Sequence, residues 1–152
     1  MLDDERATKG TELVTAATLG MIDTVRVLLD TPGYDVHYEN DLALRSASYT
    51  GYTNVVKLLV EKGANVNASG GEALLYAAKR ADEATVSYLL SKGADIDLMM
   101  RMQKKEVDQT TLDTLDKFQS QKLREAFEKN FAKIRKPDGS GRLKLGKKPP
   151  SP

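Results

Sequence analysis

The chain has 152 residues, with 23 Lys and Arg against 22 Asp and Glu, one histidine, no cysteine and 40% apolar residues. The composition excludes disulfides, thiol nucleophiles and cysteine-ligated metals, and a single histidine leaves too little for a zinc or triad site. The near-zero net charge hides a division, because residues 1–100 hold nine cations and fifteen anions while residues 101–152 hold fourteen and seven, an acidic body followed by a basic remainder.

The apolar share is enough for one core but below the usual fraction, which suits a single elongated layer. The chain opens Met1-Leu2-Asp3-Asp4-Glu5, acidic and without the apolar stretch of a secretion signal, and no run of about eighteen apolar residues follows. The expectation is a soluble, cytoplasmic protein. Residues 1–10 are polar and are expected to add a loose turn at most. Thr11 suits the N-cap of a helix over 12–19, and Asp23 that of a second helix ending near Asp30. Thr31-Pro32-Gly33 is a turn by its chemistry, since proline cannot continue a helix and glycine tolerates a positive φ.

Tyr38-Glu39-Asn40-Asp41 then leads to a helix over 42–50, with Asp41 as the expected N-cap. In the next helix Val55, Val56, Leu58, Leu59 and Val60 crowd one side and Lys57, Glu61 and Lys62 leave the other polar. Gly63 is the expected left-handed stop, and Ala64-Asn65-Val66-Asn67 turns the chain outward. Ala68-Ser69-Gly70-Gly71 makes the connection to a further pair. The string over 55–67 recurs thirty residues later as Thr85-Val86-Ser87-Tyr88-Leu89-Leu90, followed by Gly93-Ala94-Asp95-Ile96-Asp97, and earlier as Thr24-Val25-Arg26-Val27-Leu28-Leu29. Each copy follows a short helix with paired small residues: Ala16-Ala17, Ala47-Ser48 and Ala77-Ala78.

Small-pair helix, turn, longer apolar helix, stop glycine and Gly-Ala-Asx-aliphatic-Asx together resemble the ankyrin repeat. The resemblance covers residues 11–97 and implies an all-α solenoid of three helix-turn-helix repeats, divided as 11–40, 41–70 and 71–100. The thirty-residue period implies shortened fingers between repeats. The family's Thr-Pro-Leu-His signature is eroded to Thr11-Glu12-Leu13-Val14, Leu42-Ala43-Leu44-Arg45 and Glu72-Ala73-Leu74-Leu75, keeping only its leucine. Loss of the bracing threonine and histidine implies a softer array. Such short, eroded repeats resemble those of viral and phage ankyrin proteins.

From Leu98 the pattern fails, and Leu112, Leu115, Phe118, Leu123, Phe127, Phe131 and Ile134 form an amphipathic stripe instead. Solenoid ends need cover, so residues 101–135 are read as a C-terminal helical cap, either one long helix or a pair broken near Gln119-Ser120. Phe118, Leu123, Phe127 and Phe131 are its expected buried residues. Met99, Met100 and Met102 are expected to pad the junction with this terminal helix. Residues 136–152 are basic, Pro-rich and without an apolar face, and read as a disordered tail.

Carried over position by position, the resemblance implies protein contacts at Thr18, Leu19, Tyr49, Thr50, Lys79 and Arg80 on the inner helices, and at Tyr38, Glu39, Asn40, Ala68 and Ser69 on the finger tips. Tyrosine and arginine are the types that carry interface energy, which puts weight on Tyr38, Tyr49 and Arg80. Tyr88 is placed in the core by its phase, while Tyr76 stays open between core and surface. His37, Asn65, Asn67, Asp95 and Asp97 read as turn chemistry, because no calcium-loop spacing is present. Gly70-Gly71 lacks the lysine of a phosphate loop.

The functional expectation is a protein-protein interaction module that binds stoichiometrically, as adaptor or inhibitor, with no catalytic residues, cofactor or metal. Alternative readings are a nucleic-acid-associated protein using the basic C-terminal half, and a homo-oligomer in which acidic repeats meet that half. The tail has no aromatic residue for base stacking, which disfavours nucleic acid.

Overall fold

The structure, a computed structural model, describes residues 2–134, with side chains over 3–121 and at residue 125. The described residues form eight α-helices and no strand: α1 Leu2–Thr18, α2 Ile22–Asp30, α3 Tyr38–Thr50, α4 Thr53–Glu61, α5 Ala68–Lys79, α6 Glu83–Ser91, α7 Ile96–Met102 and α8 Gln109–Ile134. The chain divides into two compact units, Met1–Asp116 and Lys117–Pro152. In the first, α1, α3, α5 and α7 pack successively as an inner row, and α2, α4 and α6 as an outer row. Of the second, only the continuation of α8 falls within the described residues.

The periodic residues explain this packing. Leu13, Leu44 and Leu74, the surviving signature leucines, are all fully buried, and both members of each small pair are buried as well. Alanine and serine at those places let successive inner helices approach closely, and the Ser48 hydroxyl donates to the Leu44 carbonyl, so no polar atom is stranded. Val55, Val56, Leu58 and Leu59 fill the same role in α4 that Val86 and Leu89 fill in α6. Gly63 and Gly93 stop the outer helices in the left-handed region, at φ +100 and +92. The tight turn inside each repeat also needs a positive φ, supplied by Gly20 and Gly51 in the first two copies but by Ala81, at φ +53, in the third. An L-residue pays about 1–2 kcal/mol there. Ala81→Gly is therefore expected to stabilise the protein by up to about 1 kcal/mol after the extra unfolded-state entropy of glycine is subtracted, read as a higher urea midpoint at unchanged slope.

Several expectations are corrected. Residues 2–10 are not a loose lead-in: α1 runs unbroken through Thr11, whose hydroxyl donates back to the Ala7 carbonyl instead of capping a helix. Asp23 lies inside the first turn of α2 and makes no cap, whereas Asp82 does cap α6, accepting from the Thr85 N–H at 3.1 Å. Ile96 and Asp97 belong to a helix of their own, α7, with Asp95 as N-cap accepting from the Leu98 N–H. Tyr88 is half-buried, with the ammonium groups of Lys57 and Lys92 each 5.6 Å from its ring centroid.

The connection between repeats is the largest departure. Glu39, Asn40 and Asp41 take φ values of 47, 56 and 58, and thirty residues later Ser69, Gly70 and Gly71 take 51, 67 and 82. A single left-handed turn thus replaces each finger. Asp41 does not cap α3; its buried carboxylate accepts the Asn65 N–H at 2.8 Å and lies 3.0 Å from His37 Nδ1. Asn67, at the phase of His37, ties to the next repeat directly, accepting the Asp95 N–H at 2.8 Å and donating to the Gly93 carbonyl. The turn chemistry expected of His37, Asn65, Asn67 and Asp95 is therefore present.

The carbonyls of each left-handed turn are held by a side chain. Arg45 Nε donates to the Asn40 carbonyl at 3.1 Å and Nη2 to the Glu39 carbonyl at 2.7 Å. Leu75 stands at the corresponding place in the third repeat and cannot donate. There Gln103, just past α7, donates to the Ser69 carbonyl at 2.7 Å. Met99 is fully buried, and a Cβ added to Gly71 would come within 2.8 Å of its Cβ, so α7 lies tight against the turn. Met99 thus packs against the turn of the third repeat, where the expectation had it padding the junction with the terminal helix, and Met102 is 62% exposed.

The stripe beyond residue 109 is one helix through Gln119-Ser120. Asp108 caps it, accepting from the Thr111 N–H at 2.8 Å and hydroxyl at 2.7 Å. Thr111, Thr114 and Leu115 are buried, Leu112 is 40% exposed and Phe118 is half-buried. The side chains of Leu123, Phe127, Phe131 and Ile134, and all of residues 135–152, lie outside the described residues.

Two carboxylates give the fold an acid sensitivity. The hydroxyl and amide of Thr111 hold the Asp108 carboxyl below its ordinary range, and the His37 amide, followed by the Arg6 guanidinium 3.1 Å away, does the same for Asp35. A folded-state pKa that is depressed gives stability that is complete above the unfolded value of about 3.9 and is lost as pH falls through the folded value. Helix content followed by circular dichroism is expected to hold to about pH 4 and fall below it, and Asp35→Asn with Asp108→Asn should flatten that decline.

Candidate protein-binding surface

The inner-helix face gathers some of the expected contact residues and separates others. Tyr49, on the last turn of α3, is 64% exposed and meets Tyr76 of α5 edge to face, with centroids 5.4 Å apart at 82°. Around this pair Thr18, Leu42, Arg45 and Ser46 complete a cleft of about 280 Å³. The Tyr76 hydroxyl stands 3.5 Å from Glu72 Oε2, and desolvation, then the Glu72 charge, push its pKa above the ordinary tyrosine value. Glu72 Oε2 also accepts from Arg45 Nη1 at 2.6 Å, in a pair whose side chains are only 16% and 23% exposed.

Leu19 projects nearby, 60% exposed. Thr18 and Thr50 spend their hydroxyls inside the helices, donating to the Val14 carbonyl at 2.7 Å and the Ser46 carbonyl at 2.9 Å. Tyr38 is half-buried with its ring against the backbone of Gly10, where a Cβ would come within 2.3 Å of it. Glu39 and Asn40 are exposed on the first left-handed turn, while Ser69 and the buried Ala68 begin the second. Lys79 pairs with Glu106 at 3.3 Å. Arg80 is exposed and lies over Gly51, whose added Cβ would stand 2.8 Å from its Nε. Of the expected residues, then, the cleft unites Thr18 and Tyr49.

Sequence reading missed Leu42, Arg45 and Ser46, and it left Tyr76 undecided. A usable signal was present, because Arg45 occupies the eroded histidine position of one copy and Glu72 the eroded threonine position of the next.

A larger groove of about 740 Å³ lies between α1 and α2, lined by Ala7, Thr11, Met21, Thr24 and Leu28 among others. Thr24 and Leu28 stand at the phases of Thr85 and Leu89, which are fully buried in the third copy. The groove is thus the inter-repeat face of the first copy, with no earlier repeat described against it.

A family model described as ankyrin repeats, in three copies, matches residues 11–100. The chain belongs to the ankyrin-repeat family. No curated protein matches it. Ankyrin repeats generally mediate protein-protein interaction and are typically non-catalytic, and in this ankyrin-repeat protein no three His, Cys, Asp or Glu among the described residues come together as a metal site. No described helix is long and apolar enough to cross a membrane. The bracing that ankyrin repeats draw from threonine and histidine is here supplied by different chemistry: Arg45, Glu72 and Gln103 occupy or reach the same turns. The array is therefore not left unbraced by the eroded signature.

Proposed function

We propose that this ankyrin-repeat protein works by stoichiometric binding of a folded protein in the cytoplasm, as an adaptor or an inhibitor, through the inner-helix face centred on Tyr49. The eroded repeats suit an inhibitor of a host factor carried by a virus or phage. The observation that supports the reading most is Tyr49 itself, a large aromatic held at the surface against a second tyrosine, in the middle of the row of inner helices. Rigid aromatic and arginine side chains of this kind are the usual energetic centres of interfaces. Leu19 and Arg80, both exposed, extend the surface on either side.

The test is capture of partners from the native host by the wild-type chain and by a Tyr49→Ala, Arg80→Ala double variant, with Arg26→Ala on the outer row as control. Two hot-spot truncations of about 2 kcal/mol each, about 4 kcal/mol together, should weaken capture about a thousandfold. Arg26→Ala should leave it unchanged. The same partners retained at the same strength by the double variant would remove the inner face from consideration.

A further inference from the structure

We infer that the cleft between Tyr49 and Tyr76 receives one uncharged apolar side chain of the partner, and that Arg45, although it lines the cleft, is a positioning residue and not an anion receptor. The inference rests on the reading of the inner face as the binding surface and specifies what that surface selects. At about 280 Å³ the cleft is smaller than the roughly 300–1,000 Å³ typical of small-molecule sites. It has room for a single side chain.

Its lining decides the charge of the occupant. Thr18, Leu42, Ser46, Tyr49 and Tyr76 are neutral, and the Thr18 hydroxyl is already committed to its own helix. Arg45 is the one cation in the lining, and each of its three guanidinium nitrogens has an acceptor: the Asn40 carbonyl, the Glu39 carbonyl and the Glu72 carboxylate. Two N–H bonds remain, but the charge behind them is balanced by Glu72 at 2.6 Å. An incoming carboxylate would have to compete with Glu72 and face its negative charge. An incoming ammonium would meet the guanidinium. Either ion would lose hydration without gaining a free counter-charge, whereas an apolar side chain gains contact with two aromatic rings and Leu42 and gives up no solvation. The complementarity is neutral to neutral.

The test uses the full chain, labelled for NMR and titrated to about 0.1 M, the range in which so small a ligand saturates, with three probes that share an isobutyl group. These are isovaleramide (neutral), isovalerate (anionic) and isoamylamine (cationic). The ring signals of Tyr49 and Tyr76 are expected to shift saturably with the amide, with both ions at least about tenfold weaker. Glu72→Gln unbalances Arg45 and should move the preference towards isovalerate. Tighter binding of isovalerate than of the amide by the wild-type chain, or no ring shift with any probe, overturns the inference. If Glu72→Gln does not fold, the wild-type series alone decides. Loss of partner capture in the double variant together with a wild-type preference for isovalerate would sink this inference and leave the functional reading. Unchanged capture with the expected probe order would sink the functional reading, and with it the partner as the occupant, and leave only the cleft's preference for a neutral group.

Discussion

Arg45→Ala is expected to lower the unfolding free energy by about 3 kcal/mol, the low end of the cost of breaking a buried ion pair. The low end applies because the two side chains keep 16% and 23% of their exposure, so the Glu72 left behind can recover some hydration. The substitution also frees the carbonyls of Glu39 and Asn40 in a turn whose three non-glycine residues already sit at positive φ. Against a total of about 5–15 kcal/mol for a small domain, that is a large fraction. Chemical denaturation should show a lower midpoint, and heating a melting temperature lower by roughly 10–20 °C. Adding Glu72→Leu to Arg45→Ala removes the stranded charge and should restore part of the loss, a coupling that a double-mutant cycle measures directly. A cost under about 1 kcal/mol for Arg45→Ala would mean that the left-handed turn stands without its brace.

Ending the chain after residue 94 is expected to abolish cooperative folding, whereas ending it after residue 121 should leave the melting temperature within about 5 °C of the full chain. The first truncation removes α7 and with it the fully buried Met99, the Gln103 bond to the Ser69 carbonyl and the cover over Gly71. Truncating one buried methionine to alanine already costs about 2–5 kcal/mol. Losing the whole helix exposes the next inner-row face at the same time, and a solenoid of three repeats has no surplus to absorb that. The second truncation retains α7, the Asp108 cap and the buried Thr111, Thr114 and Leu115. If the chain ending at residue 121 melted far below the full chain, the cover would lie instead with the stripe at Leu123, Phe127 and Phe131. If the chain ending at residue 94 melted like the full chain, α7 would be no cap at all.

Residues near each other in sequence, or repeated at a fixed phase, were legible without a structure. The 3.6-residue spacing of Val55, Val56 and Leu59 sets which face of an outer helix must be buried, the small pair at Ala47-Ser48 sets how closely inner helices approach, and Gly63 can only mark a stop. Recurrence of all three marks at a thirty-residue period determined the solenoid, because each copy has an apolar face that only a neighbouring copy can cover. What depends on reach between copies was decided by the tertiary structure alone. Arg45 meets Glu72 twenty-seven residues away, and Gln103 meets Ser69 thirty-four residues away. Beyond the eroded signature positions that Arg45 and Glu72 occupy, neither pairing has a local signature, since a long polar side chain at an exposed-looking phase is equally consistent with solvent. The edge-to-face contact of Tyr49 with Tyr76 and the helix over 96–102 belong to the same class, for Tyr76 reads alike as surface or core, and Ile96-Asp97 alike as turn or helix start, until a neighbour is placed against them. Periodicity expresses the geometry of one helix, whereas bracing and binding in this protein arise where side chains of one repeat end against the backbone and charges of the next.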